Sequence, residues 1–145
     1  MQKNRISYMA GFSMIELLIA LAIIGVLFKV AISNYEGVVN RKARAAAVEG
    51  LEMLAARQEQ FKQANQQYAR KISQLKVEPL MEQGDYLLSV KGKWNAFVLT
   101  ADPAGEGTSG KMAEDGKLRM DFKGVKSWDC DNDGSFRCSW EDATK

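Results

Sequence analysis

The apolar positions of this chain fall into three successive patterns. From Phe12 to Ile32 they are nearly continuous, broken by charge only at Glu16 and Lys29. From Tyr35 onward they recur at three, four or seven residues, through Val39, Ala43, Ala47, Leu51, Leu54, Phe61 and Tyr68. Arg41, Arg44, Glu49, Glu52, Arg57, Glu59 and Lys62 lie mostly off that stripe. Beyond residue 85, short runs of apolar residues are separated by glycine-containing breaks. A helical recurrence followed by strand-like runs predicts helix first and sheet second.

The first pattern covers 21 residues, about 31 Å as a helix at about 1.5 Å per residue, enough for a hydrocarbon core. The second continues it, so one helix is expected from Phe12 to about Gln63. Its first half is apolar all round. Its second half is amphipathic and needs a sheet over the apolar stripe, because an isolated helix gains little from propensity alone. Residues 65–84 look like an irregular connection. Tyr86–Val90, a Lys91-Gly92-Lys93 turn and Trp94–Ala101 read as a hairpin. A loop with Pro103, Gly105, Gly107 and Gly110 then runs to an Asp115-Gly116 turn, and Leu118–Phe122 alternates as a half-buried strand does. The expected fold is α+β, with one long helix on an antiparallel sheet of three or four strands. Tyr86, Trp94, Phe97 and Phe122 are expected as core packing between helix and sheet.

Charge changes the picture at one position above all. A carboxylate inside a bilayer-length helix costs about 2.5 to 3.5 kcal/mol on insertion scales, so Glu16 is a functional candidate. Ahead of the span lies a short leader carrying Lys3 and Arg5, like the basic start of a signal peptide. The small-residue cleavage site that should follow the apolar run is misplaced, since Ala20-Leu21-Ala22 sits mid-run. Cleavage between Gly11 and Phe12 instead leaves the apolar helix on the mature chain. The new amine of Phe12 then lies four residues from Glu16, over the same helix face.

Gly11-Phe12-Ser13-Met14-Ile15-Glu16 followed by an apolar span resembles the class III signal of type IV pilins and secretion pseudopilins. The resemblance implies the type IV pilin fold, with a leader over 1–11, a membrane and assembly helix over 12–33, an amphipathic helix over 34–68 and a globular β domain over 69–145. It implies cleavage after Gly11 by a prepilin peptidase, N-methylation of Phe12, and pairing of Glu16 with the Phe12 amine of a neighbouring subunit. Its expected partners are other pilin subunits, the peptidase, the inner-membrane assembly machinery and membrane lipid. The expected location is the inner membrane, crossed once with the globular part in the periplasm, and then an extracellular pilus.

Two departures from major pilins stand out. Ser33 occupies the place of a usual Pro, which would remove a backbone hydrogen bond and favour unwinding, and Lys29 lies within the span. With Gln58–Phe61 running on to Gln67-Tyr68, they point to a minor pilin of the PilE type. The alternatives are a type II secretion pseudopilin or, from another class, a membrane-anchored extracytoplasmic binding domain.

The remaining charge says less. The formal net charge is +2, which gives no bulk signature of a nucleic-acid protein. Basic residues flank the span on both sides, so they do not orient it. Cys130 and Cys138 are the only cysteines. Their spacing suits a small disulfide loop, which places the domain outside the cytoplasm. In the segment from Asp129 to Cys138, Asp129, Asp131 and Asp133 before Gly134 match the opening of a calcium loop. The closing half fails, with Arg137 and Trp140 at the ninth and twelfth places, so a stapled turn is favoured and no cofactor is expected. Lys91, Lys93, Lys111, Lys117, Arg119, Lys123 and Lys126 are read as solvated; a phosphate-contacting strip is set aside because Asp and Glu are interspersed. The absence of histidine removes the usual general base, and no nucleophile setting or phosphate loop suggests an enzyme.

Overall fold

A computed structural model describes residues 12–81 and 84–144. A 52-residue helix, α1, runs Met14–Asn65. A 3-10 turn at Ile72–Leu75 follows, then strands β1 (Leu87–Lys93), β2 (Ala96–Asp102), β3 (Leu118–Asp121) and β4 (Lys126–Trp128), and a short closing helix α2 (Trp140–Thr144). The strands form one antiparallel sheet in sequence order. The α+β expectation holds, with a long helix and four strands.

The chain divides into two units between Gly37 and Val38. In the first, α1 is apolar all round and its large side chains are exposed, from Phe12 and Met14 through Phe28 and Val30 to Ile32. Among the described residues α1 is the one helix long and apolar enough to cross a membrane. Its backbone continues through Ser33 and Asn34. Gly11 and the leader lie outside the described residues.

In the second unit the amphipathic stripe finds its cover. Ala43, Ala47, Leu51 and Leu54 are buried in one cluster with Leu88, Val90, Phe97, Leu99, Ala101 and Leu118. Register explains this selection. Leu88 faces Ala101 and Val90 faces Leu99 across β1 and β2, and Ala101 faces Leu118 across β2 and β3, so these inward side chains line one face. Gln58, one turn beyond Leu54, is fully buried yet satisfied. Its Nε2 donates to the Ala69 carbonyl at 3.0 Å and its Oε1 accepts from the Ala69 N–H at 2.9 Å. The helix stripe thereby holds the segment that leads into the sheet.

The hairpin differs from the sequence reading. The turn is Trp94-Asn95, with Lys93 paired to Ala96, and Lys91-Gly92-Lys93 belongs to β1. Gly92 is there for close approach rather than for turning, since a Cβ at that position would lie 1.9 Å from the Ala69 carbonyl oxygen. The Gly92 N–H donates to Arg70 and the Tyr68 N–H to Trp94, so residues 68–70 cover that end of the edge strand. The expected aromatic core is also half wrong. Tyr86 and Phe97 are buried, but Trp94 is 68% and Phe122 41% exposed. Moving the turn by two residues takes Trp94 out of the ladder and onto the hairpin tip.

Candidate functional site

Because strand side chains alternate, the residues left over from the core line the other face of the sheet. Lys91 pairs with Val98 and Val98 with Asp121; Ser89 pairs with Thr100, Thr100 with Arg119, and Arg119 with Ser127. A shallow groove of about 620 Å³ lies over this face, bordered by Lys91, Lys93, Lys117, Arg119, Phe122 and Phe136 among others. It is the basic, aromatic-edged counterpart of the apolar inner face.

The acidic residues in and beside the groove are already engaged. Asp102 pairs with Lys117 at 2.7 Å and accepts from the Ala104 N–H at 3.0 Å. Asp121 accepts from the Lys123 and Val125 N–H groups, both at 2.9 Å, and so shapes the turn between β3 and β4. Lys91, Lys93 and Arg119 have no carboxylate at salt-bridge distance among the described residues. The Arg119 guanidinium instead stacks 4.8 Å over the Phe136 ring, and the Lys123 ammonium lies 5.7 Å from the centre of Phe122. Cation–π contact orients a cation without neutralising it. The face therefore offers fixed positive charge beside aromatic edges, a combination suited to a polyanion.

Behind the sheet, a cluster that the sequence reading missed fixes its position. Arg44 looked like a residue of the polar helix face. In the fold its Nε and Nη2 donate to the Asp115 carboxylate at 2.9 and 2.7 Å, and its Nη1 donates to the Ala143 carbonyl at 3.3 Å. The guanidinium also lies 4.8 Å from the centre of the Trp128 ring. The buried Tyr86 hydroxyl donates to the same Asp115 carboxylate. The bond to Asp115 raises the pKa of Arg44 above its ordinary value. Burial first, and then Asp115, pushes the Tyr86 phenol well above the usual tyrosine range. One basic residue off the apolar stripe gives no sequence signal for a contact 71 residues away.

The carboxy-terminal constellation is a stapled turn. Cys130 and Cys138 form a disulfide across eight residues, beside a bridge between Trp128 and Cys138. Asp129 is buried, with its carboxylate accepting from the Asp133 and Gly134 N–H groups at 3.1 and 3.0 Å. Asp133 accepts from the Ser135 N–H at 2.8 Å and pairs with Arg137, which is 3.7 Å from Asp131. The Ser135 N–H, helped by Arg137, holds Asp133 below the usual carboxylate range. Of the three carboxylates of the calcium-like loop, Asp131 and Asp133 thus share Arg137 while Asp129 turns to the Asp133 and Gly134 amides, and no metal-holding group occurs among the described residues.

At the other end of the chain, Phe12 and Glu16 are exposed at the start of α1, and the Glu16 N–H donates to the Ser13 carbonyl at 3.0 Å. Residues 6–28 match the prokaryotic N-terminal methylation motif. Residues 33–115, more than half of the chain, match the family described as type IV minor pilin ComP, DNA uptake sequence receptor. No curated protein matches the chain.

Proposed function

Because the chain belongs to the family of the type IV minor pilin ComP, DNA uptake sequence receptor, and is thus a minor subunit of a type IV pilus, we propose that it captures DNA on the outer face of its sheet. The observation that carries this reading is the charge balance of the groove. Asp102 is offset by Lys117, and Asp121, which keeps its charge while accepting from two turn amides, is outnumbered by Lys91, Lys93 and Arg119, so the face is net positive. Nucleic acid, set aside on sequence grounds, returns as a partner on that basis. Each phosphate neutralised releases condensed counterions, so binding of this kind falls steeply with salt.

The amino-terminal chemistry fits the same role. Cleavage after Gly11 gives Phe12 a free amine, methylated and still cationic, and Glu16 of a neighbouring subunit pairs with it. An unpaired charge in a low-dielectric environment is costly, so the pair favours docking of one helix on another. The anchor is residues 12–33, and the peptidase, assembly machinery and inner-membrane lipid are its partners there. The disulfide supports placing the globular part in the periplasm before assembly, where a structural disulfide persists. The role in the fibre is structural and not enzymatic, and needs no cofactor.

Two measurements test this reading. Full-length protein in detergent micelles should bind a duplex of about 20 base pairs with an affinity that falls as salt rises. The triple variant Lys91→Gln/Lys93→Gln/Arg119→Gln should flatten that dependence by about three counterions; equal binding by the variant refutes the sheet face as the DNA site. Glu16→Ala should insert into the membrane normally but be depleted from sheared pili, and undiminished incorporation refutes the docking role.

A further inference from the structure

We propose that Trp94 is a nucleobase-stacking contact, held at the hairpin tip so that its indole engages DNA while the neighbouring cations hold the phosphates. This rests on the DNA reading of the outer face. Trp94 is 68% exposed, whereas the other two tryptophans, Trp128 and Trp140, are 9% and 6% exposed. Its backbone is nevertheless tied down. The Trp94 carbonyl accepts from the Tyr68 N–H at 3.3 Å, and Tyr68 packs edge-on against Phe97 with ring centres 4.8 Å apart. An exposed indole on a fixed turn is preorganised for contact, because little backbone freedom is lost when it binds.

The surroundings select the partner. Lys91 and Lys93 lead along β1 to the tip and border the groove. The Phe122 N–H donates to the Phe97 carbonyl at 3.1 Å, which puts Phe122 at the same end of the sheet with Lys123 over its ring. Two exposed aromatics, Trp94 and Phe122, at one end of the sheet with Lys91, Lys93 and Lys123 match a ligand with π-faces and negative charge together. Nucleic acid supplies both, and stacking on an aromatic side chain tolerates any base. The stacked base comes either from a duplex step pried open by the indole as a wedge or from an unpaired strand.

Intrinsic fluorescence reads this directly in the full-length protein, since only Trp94 of the three tryptophans is exposed. Titration should quench and shift the emission of wild type but not that of Trp94→Phe. A response to a mixed-sequence duplex of about 20 base pairs identifies the wedge. A response only to the single strand of the same length identifies the unpaired base. Trp94→Ala should raise Kd about tenfold with the salt slope unchanged, and Trp94→Phe should restore most of the affinity. Unchanged Kd in Trp94→Ala, or emission indifferent to both probes, would overturn the stacking role; if the triple charge variant still loses affinity, the DNA reading survives. Failure of wild type to bind either probe removes both. Normal DNA affinity in Trp94→Ala with reduced incorporation into pili makes the tip a subunit contact instead, and refutes the proposal.

Discussion

The two faces of the sheet are made from the same four strands and answer to different constraints. The inner face carries Leu88, Val90, Leu99, Ala101 and Leu118, closed against α1; the outer face carries Ser89, Lys91, Thr100 and Arg119, bordering an open groove. Along β2 burial alternates residue by residue. Inner side chains are fixed by volume, since a void or an overlap is destabilising at once. Outer side chains are free of that demand, so their identity reflects what the surface meets. Stability and binding should therefore separate by face.

The largest effect belongs to the inner face. Leu51→Ala should lower unfolding free energy by about 3 kcal/mol in denaturant titration, as buried leucine truncations do, while the folded fraction keeps its DNA affinity. A loss of affinity without a loss of stability would join the two faces. Replacing the disulfide with Cys130→Ser/Cys138→Ser should cost about 2.5 kcal/mol from loop entropy, again without changing the salt dependence of DNA binding.

Tyr86→Phe sharpens the same boundary through pH. The native phenol titrates above its unfolded value, so the stability it contributes is complete below about pH 10 and declines as pH rises further. The variant should lose about 1 kcal/mol near neutrality and show a shallower alkaline decline in melts run from pH 8 to 11; an unaltered decline assigns it to other groups. The smallest effect on stability falls on the outer face. Lys91→Gln should stay within about 0.5 kcal/mol of wild type, yet reduce the slope of log affinity against log salt by about 1. Destabilisation beyond that range would mean that the outer lysine helps to hold the fold.

The inner face was legible because burial repeats with a period. Ala43, Ala47, Leu51 and Leu54 announce a stripe, and Leu118 to Phe122 announces a strand. The cysteine pair was legible from proximity and number. Trp94 was misplaced because a large aromatic among lysines satisfies strand preference, while the turn at Trp94-Asn95 has no glycine to mark it. Gly92 pointed to a turn, yet its small size serves the approach of Ala69. Gln58 and Arg44 act through partners far along the chain, and a polar residue carries no sequence mark of a distant partner. The outer face is hidden for the same reason, since the excess of its cations over its carboxylates depends on which residues the ladder gathers on one face and on the pairing of Asp102 with Lys117.

The attachments of Gln58 and Arg44 to the rest of the fold carry a mechanical meaning. They sit about 21 Å apart along α1 at about 1.5 Å per residue. Gln58 grips the Ala69 peptide, and Arg44 grips Asp115 and the Ala143 carbonyl. A single rivet lets a plate swivel, whereas two rivets at a distance make a bracket. A tug delivered to the sheet by a long, flexible cargo is thereby passed to the helix as shear shared between two distant points, and the sheet resists being levered off from one end.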